Sequence, residues 1–165
     1  NRGVDYAGNS IGQPTTFTVG CALNMGAQNL DREIKVLRKK IDGGADFALC
    51  QPCFNPAEVE RFHRRYEEVV GEPLQLPALI GILPLYNARH AHFLHNEIPG
   101  IVIPEALVNR MERAGDAAAS EGVAIARELL LDIKDMVQGL YVMPAFGKYE
   151  LAAEVIDVLG IPSQA

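Results

Sequence analysis

Tryptophan is absent from this chain, cysteine occurs only three times, and no apolar run approaches the roughly 20 residues that a membrane-spanning helix needs. Basic residues form no block, and the formal net charge of −6 disfavours nucleic acid as a partner. The first residues lack the apolar core of a signal peptide, and so few thiols are typical of a reducing compartment. We therefore expect a cytoplasmic protein with neither a membrane nor a nucleic-acid partner.

Familiar nucleotide and hydrolase motifs are missing as well. The sequence contains no GxGxxG and no P-loop, so a nucleotide would not be bound in the Rossmann or the Walker manner. No serine, histidine and aspartate constellation of a hydrolase is legible either. These absences leave the alternation of apolar and amphipathic segments as the main source of information.

Apolar, β-branched segments alternate with amphipathic segments along the chain. We predict strands at 17–22, 45–50, 79–83 and 139–143, and helices at 31–41, 56–70, 86–95, 104–114, 116–134 and 149–159. This order predicts an α/β fold with parallel strands and right-handed crossovers. Residues 1–16 would lead into four βα units at 17–159, which amount to half of a (β/α)8 barrel, since a whole barrel takes about 250 residues.

An isolated half-barrel would leave two strand edges and the inner face of its sheet uncovered. We therefore expect part of a larger chain, an oligomer that closes such halves, or a small open sheet. A non-enzymatic half-barrel that serves only in assembly is a further alternative. The chain opens on Asn1 without an initiator methionine, so we expect it to begin partway through a longer protein.

Residues 37–56 show one repeat of the pattern in full. Gly43-Gly44 follow a helix that ends in basic residues, and we expect them to supply the positive φ of a helix stop. Asn55-Pro56 then begin the next helix as N-cap and first helical residue. Ligands of α/β folds bind where strands end and helices begin, so residues in these loops are the candidates for a site.

Gln51 and Lys148 are the polar residues that this rule singles out. Gln51 ends the second strand with a side chain that can donate and accept hydrogen bonds, and Lys148 follows the fourth strand, where it suits an anionic group. Asn24, after the first strand, is either a site residue or a turn residue. The basic cluster of Lys35, Arg38, Lys39 and Lys40 is either a solvated helix face or a cover for cofactor phosphates.

The cysteines and histidines allow other interpretations. Cys50-Gln51-Pro52-Cys53 resembles the CGPC motif of thioredoxin-like dithiol oxidoreductases, but the helix start lies beyond Cys53, which favours buried structural thiols. Cys21, Cys50 and Cys53 could in principle bind zinc, although no second CxxC or histidine pair accompanies them. His90, His92 and His95 share one short helix, where we expect a partly solvated face with one inward member.

Four segments in order carry a family resemblance: FTVGCALN, KKIDGGADFALCQPCFNPAEVERF, PALIGILPL and LYVMPAFGKYELA. Together they resemble the C-terminal half of the 5,10-methylenetetrahydrofolate reductases. FLHNEIPGIVIPE and MPAFGKYELA are most similar to the reductase module of bacterial bifunctional homocysteine S-methyltransferase/methylenetetrahydrofolate reductases. The resemblance implies a flavoprotein TIM barrel of one-carbon metabolism and methionine biosynthesis. Such an enzyme passes a hydride from NAD(P)H to FAD and then to methylenetetrahydrofolate.

The same resemblance implies a role for particular residues. The four strands would be the fifth to eighth of the barrel, with FAD contacts at Leu23, Asn24, Glu33, Lys39 and Lys40. The residues that it places at the folate substrate are Gln51, which also binds nicotinamide; His90, where the family has Gln; Leu94, where it has Phe; and Lys148, where Arg is usual.

The family's proton-donating Glu and an Asp near its flavin belong to strands that this chain lacks. We therefore expect no catalytic residue and no metal ligand here, and no reductase activity from these 165 residues alone. We also expect a homo-oligomer, or a requirement for the N-terminal half of the barrel.

Overall fold

A computed structural model describes residues 2–160, so Asn1 and residues 161–165 of the predicted domain lie outside the described residues. Within this range the strands are β1 (Gly20–Leu23), β2 (Phe47–Pro52), β3 (Ala78–Ile82) and β4 (Gly139–Val142). They form one sheet in the order β1-β2-β3-β4, and every neighbouring pair is parallel. The predicted α/β fold is confirmed, and its arrangement is that of half a (β/α)8 barrel.

The helices that alternate with the strands are α1 (Leu30–Asp42), α2 (Pro56–Val70), α3 (Ala88–Glu97), α4 (Glu105–Ala114), α5 (Ala118–Ile133) and α6 (Tyr149–Asp157). Short 3-10 turns at Gly115–Ala117 and Ala145–Gly147 precede α5 and α6. The predicted first strand begins too early, because the backbone N–H of Val19 donates to the carboxylate of Asp46 at 2.7 Å instead of joining the ladder. The leading residues are held by one isolated antiparallel bridge between Val4 and Ser10.

Asparagine side chains begin the helices that follow β1, β2 and β3. Asn29 accepts a hydrogen bond from Arg32 N, Asn55 from Ala57 N and Asn87 from His90 N, at 2.8–3.1 Å. Each cap satisfies a backbone N–H that the first helical turn leaves unpaired. The three helix starts therefore sit at the carboxyl edge of the sheet, called here the rim.

The predicted glycine stop of α1 is only half right. Gly43 keeps an ordinary helical φ of −76°, and Gly44 alone takes the left-handed value of +93°. The N–H of Gly43 still bonds to the Lys39 carbonyl, so the helix continues for one residue more before it turns.

The two faces of the sheet have different surroundings. On β2, Ala48 and Cys50 are buried in the main core, whose other members include residues of α1, α2, α5 and α6. Leu49 and Gln51 alternate with them and are exposed on the opposite face, which corresponds to the interior of a barrel. A second apolar cluster, between α3, α4 and α5, packs beneath the loop that follows β3.

Helix α5 approaches that loop unusually closely at Gly122. A Cβ atom at this position would overlap the carbonyl oxygen of Leu85, so only glycine fits. Both Gly122 and Leu85 are buried, and Leu85 belongs to the second apolar cluster. This contact fixes the position of the loop between β3 and α3 relative to α5.

Candidate functional site

Among the depressions at the rim, two differ clearly in character. The first, called here the Gln51 cleft, lies between the exits of β1 and β2 and is lined by Asn24, Met25, Gly26, Gln51, Pro52, Cys53, Glu58, Val59, Ile80, Gly100 and Val102. Its cavity volume is about 10 Å³, which leaves room for about one water molecule. The second, called the Phe146 pocket, lies beyond β3 and β4 and is described below.

Hydrogen bonds hold the β1 side of the Gln51 cleft. The carboxylate of Glu33 accepts from the N–H of Asn24 at 3.0 Å, and the Asn24 side-chain oxygen accepts from Gly26 N at 3.0 Å. Lys40 Nζ donates to the carbonyl of Ala22 at 2.6 Å. Three residues implied as cofactor contacts thus meet at one loop, with the amide nitrogen of Asn24 still able to donate.

The remaining two implied cofactor residues lie differently. Leu23 is 1% exposed, with its side chain in the main core, so only its backbone faces the rim. The side chain of Lys39 is exposed and has no hydrogen bond or ion pair to another described residue. Its ammonium group is therefore free for an anionic ligand.

Gln51 sits on an irregular stretch of β2 that other strands brace. The pairing of β2 with β3 shifts register between Leu49 and Pro52. There the carbonyl of Cys50 accepts a 2.6 Å hydrogen bond from the hydroxyl of Tyr141 on β4. Tyr141 reaches it across Gly81 of β3, where a Cβ would lie 2.8 Å from the tyrosine oxygen. Irregular strand pairing of this kind often occurs next to active sites, and Gln51 is one of the residues at this irregularity.

Glu58 is a residue of the cleft that sequence reasoning missed. It stands in the first turn of α2 and lines the same cleft as Gln51, and its carboxylate makes no hydrogen bond to a described residue. Burial raises the pKa of its carboxyl group, partly offset by the nearby Arg61. An acidic residue three positions after an Asn N-cap is an ordinary helix-start signal, so its partial burial could not be foreseen.

The Phe146 pocket has a volume of about 520 Å³, within the usual range for small-molecule sites. Its lining is mainly aromatic and consists of Tyr86, Asn87, Arg89, His90, Phe93 and Phe146. The ring of Phe146 meets the rings of Tyr86 and His90 edge to face, with centroids 5.4 and 4.9 Å apart. On the α3 side, the residues recur at the spacing of one helix face, a pattern visible in the sequence.

His90, one of the implied substrate residues, lines this pocket with a fixed orientation. Its ring Nδ1 accepts from the N–H of Tyr86 at 3.2 Å, which leaves Nε2 as the remaining ring nitrogen. Burial lowers the pKa of His90, because the charged imidazolium is poorly solvated there. The ring is therefore neutral near pH 7 and is a polar contact rather than a cation.

The other implied substrate residues on this side are placed less directly. Leu94 is 6% exposed and packs in the second apolar cluster, while its neighbour Phe93, 52% exposed, faces the pocket. Lys148 is exposed, six residues beyond the end of β4, with Nζ 3.9 Å from a Glu150 carboxylate oxygen. Because β2 and β4 run in the same direction in one sheet, Gln51, near the carboxyl end of β2, and Lys148, beyond that of β4, belong to the same rim.

The cysteines have the properties of structural thiols. Cys50 and Cys53 are buried, and burial raises the pKa of Cys50 to about 12, with Cys21 and Cys53 adding to the shift. Burial likewise raises the pKa of Cys53 to about 11. A dithiol oxidoreductase needs the opposite shift, since the thiolate is the reactive form. The Cys53 thiol instead donates to the carbonyl of Asn55 at 3.3 Å.

No metal site forms within the described residues. Among residues 2–160, no group of three His, Cys, Asp or Glu side chains is placed to hold an ion, so the zinc hypothesis for the three cysteines finds no support.

The other two histidines of α3 have partners away from the Phe146 pocket. His92 pairs with Glu112 at 2.8 Å, and His95 accepts from Ile103 N at 3.1 Å. The helix thus has one inward histidine, His90, as the sequence predicts. None of the helices in this range combines the length and the apolar character needed to cross a bilayer.

Comparisons with known proteins identify one family. The family model described as methylenetetrahydrofolate reductase matches residues 12–160. Among curated proteins, no significant match was found. Among solved structures, 56 chains match significantly. One is described as an uncharacterized protein from Clostridium thermocellum that binds two copies of 5-methyl-5,6,7,8-tetrahydrofolic acid, with a TM-score of 0.64 and 16% sequence identity.

That superposition covers 87% of this chain and 54% of the other, so the chain spans about half the length of the structure that it matches. At this level of identity the likeness shows a shared fold. The four βα units described above are thus the part of the larger fold that the two chains have in common.

Proposed function

Because the chain belongs to the methylenetetrahydrofolate reductase family, we propose that it is part of a flavin-dependent oxidoreductase. In this proposal, NAD(P)H reduces 5,10-methylenetetrahydrofolate to 5-methyltetrahydrofolate through FAD. The family match over residues 12–160 is the observation that carries the proposal. The folate bound by the structurally similar Clostridium thermocellum protein supports the same class of ligand.

The folate and nicotinamide are proposed to bind along the rim. The amide of Gln51 donates and accepts hydrogen bonds, which suits the mixed donors and acceptors of a pterin or a carboxamide. His90 offers one ring nitrogen from the wall of the Phe146 pocket, and Leu94 supports that wall from the second cluster. Lys148 supplies a positive charge for a substrate carboxylate, because its exposed 3.9 Å pair with Glu150 is weak.

The loop after β1 and helix α1 have donors that fit FAD. Asn24 at the rim keeps an amide N–H2 group free, and Lys39, in the last turn of α1, keeps an unpaired ammonium. A hydroxyl-rich diphosphate cofactor can use both groups. Lys40 and Glu33 shape the loop through their bonds to Ala22 and Asn24, and Leu23 offers its backbone. FAD, when bound, supplies the ring that carries hydride. The chain's own residues bind and orient it.

The proposal assigns no catalytic group to these four units. Their part is to bind and orient ligands, while the exposed inner face, including Leu49, requires cover from a further set of strands. Those strands would come from an N-terminal half of the barrel or from a second copy of the chain. We expect the 165 residues alone to lack reductase activity. The proposal also includes fusion of the parent enzyme to a homocysteine S-methyltransferase module.

Ligand binding tests this function directly. Titration of the protein with 5-methyltetrahydrofolate, followed by calorimetry, should show saturable binding that Gln51→Ala weakens about tenfold through a lost hydrogen-bonding pair. Gln75→Ala, at an exposed glutamine in the loop before β3, is the matched control and should bind normally. Absence of folate binding by the wild-type protein would contradict the proposal. Bound yellow flavin with NAD(P)H–menadione activity in the 165 residues alone would contradict the expected inactivity.

A further inference from the structure

The Phe146 pocket contains a positive charge that nothing in the fold uses. Arg89 lines the pocket, is exposed, and has no hydrogen bond or ion pair with another described residue. The lining includes no carboxylate that could neutralise it. By contrast, Arg65 and Arg110 are each bound by two carboxylates on neighbouring turns or helices. An unpaired guanidinium in a concave aromatic pocket is a recognition group for an anion.

Phe146 itself has a backbone that folding alone does not explain. It is the only non-glycine residue among those described with a positive φ, at +53°, and its ring is 70% exposed. Left-handed backbone is strained for a bulky residue, and such outliers cluster at ligand sites. The strained backbone turns the ring toward His90 and Tyr86, where it forms an exposed aromatic wall.

The size and chemistry of the pocket select one part of a folate. We propose that the aminobenzoyl ring of a folate lies against Phe146 and that Arg89 binds the carboxylates of its glutamate tail. This inference rests on the folate function proposed above. The planar guanidinium offers the two parallel donors that a carboxylate prefers, which the single ammonium of Lys148 cannot offer. Arg89 is thus the residue that selects glutamylated ligands.

Two ligands separate the ring from the tail. Calorimetry should compare 5-methyltetrahydrofolate with 5-methyltetrahydropteroate, which lacks the glutamate, on the same protein. The wild type should prefer the glutamylated ligand, and Arg89→Ala should reduce that preference about tenfold while pteroate affinity stays unchanged. Arg89→Lys should restore part of the preference. Arg32→Ala, at an exposed arginine of α1, is the matched control and should behave like the wild type.

Phe146→Ala supplies an independent readout. Because the ring contacts the shared aminobenzoyl group, this variant should weaken both ligands by a similar factor of about tenfold. A full glutamate preference in Arg89→Ala, or an equal loss for both ligands in that variant, would overturn the role of Arg89 while the folate function stands. If the wild type bound neither ligand, the folate function itself would fail, and this inference with it.

Discussion

The Gln51 cleft and the Phe146 pocket lie on the same rim of one sheet, yet they differ in polarity, in open volume and in internal hydrogen bonding. The cleft is polar and nearly filled, and the side chains of Glu33, Asn24 and Lys40 hold the loop beside it through hydrogen bonds to backbone groups. The pocket holds about 520 Å³ of open space between aromatic rings and has a strained residue in its wall. One end of the rim is closed by hydrogen bonds within the fold, and the other leaves open space between aromatic rings.

The difference follows from what each strand exit packs against. The exit of β1 is held by α1, because the Glu33 carboxylate accepts from Asn24 N, and the exit of β2 is held by the Asn55 cap of α2. The exit of β3 rests on α5 through Gly122, and the exit of β4 is a 3-10 turn whose Phe146 ring contacts the rings of Tyr86 and His90. The same rim therefore carries a cleft closed by internal hydrogen bonds and an open aromatic pocket.

The largest expected effect comes from adding a side chain at the close contact between α5 and the loop after β3. Gly122→Ala would drive a methyl group into the Leu85 carbonyl, and we expect a loss of about 3 kcal/mol or more in the free energy of unfolding. Chemical denaturation measures it. Ser120→Ala, on the exposed side of the same helix, is the control and should slightly stabilise the protein. Equal stability of Gly122→Ala and wild type would show that the loop is not held by this contact.

A smaller effect is expected where the two ends of the rim are joined. Tyr141→Phe removes the hydroxyl that binds the Cys50 carbonyl, so we expect about 1 kcal/mol of lost stability. Since that bond braces the irregular stretch of β2 around Gln51, folate affinity should also fall, by more than the lost stability alone would cause. Tyr149→Phe, at an exposed tyrosine, is the matched control. Unchanged folate affinity in Tyr141→Phe would show that Gln51 is oriented without this brace.

The smallest effect is a dependence on pH of opposite sign at the two ends. His90 has a lowered pKa, so its contribution to stability is complete above the unfolded value of about 6.5 and is lost as pH falls. Glu58 has a raised pKa, so its contribution is present below the unfolded value of about 4.3 and is lost as pH rises through the folded value. Each effect should stay under about 1 kcal/mol because both groups are partly solvated.

Denaturation midpoints measured between about pH 4 and pH 8 test this pair. His90→Gln should flatten the acid side of the profile, and Glu58→Gln should raise stability near neutral pH. Burial lowers the pKa of His63 in the same direction, and its side-chain Nε2 is buried without a partner, so it contributes to the acid side in every variant. Parallel profiles for wild type and both variants would show that neither group is coupled to folding.

Much of the fold was predictable because local signals agree with the packing. The bounds of α2 are those predicted, since Asn55-Pro56 mark its start and Gly71, with a φ of +87°, marks its end. Gln51 could be located from the rule that strand ends carry ligands. The predicted strand ends differ from the observed ones by up to three residues, because a parallel ladder depends on partners that the sequence does not reveal, such as Asp46 binding Val19 N.

The Phe146 pocket was harder to predict. Tyr86, Arg89, His90 and Phe93 recur at helical spacing, so their shared face was visible in principle. The left-handed backbone of Phe146 was not, because no sequence signal marks a bulky residue for that region. Leu94 was assigned by its position in the family, whereas the side chain that emerges beside the pocket is the next residue, Phe93.

Position 146 is subject to two demands that cannot both be met by one residue. The backbone geometry there favours glycine, whereas the exposed wall needs a large flat side chain. Variants at this position should therefore gain stability only where they lose affinity for the proposed ligand. We expect homologues from thermophiles and homologues with high ligand affinity to carry different residues at position 146.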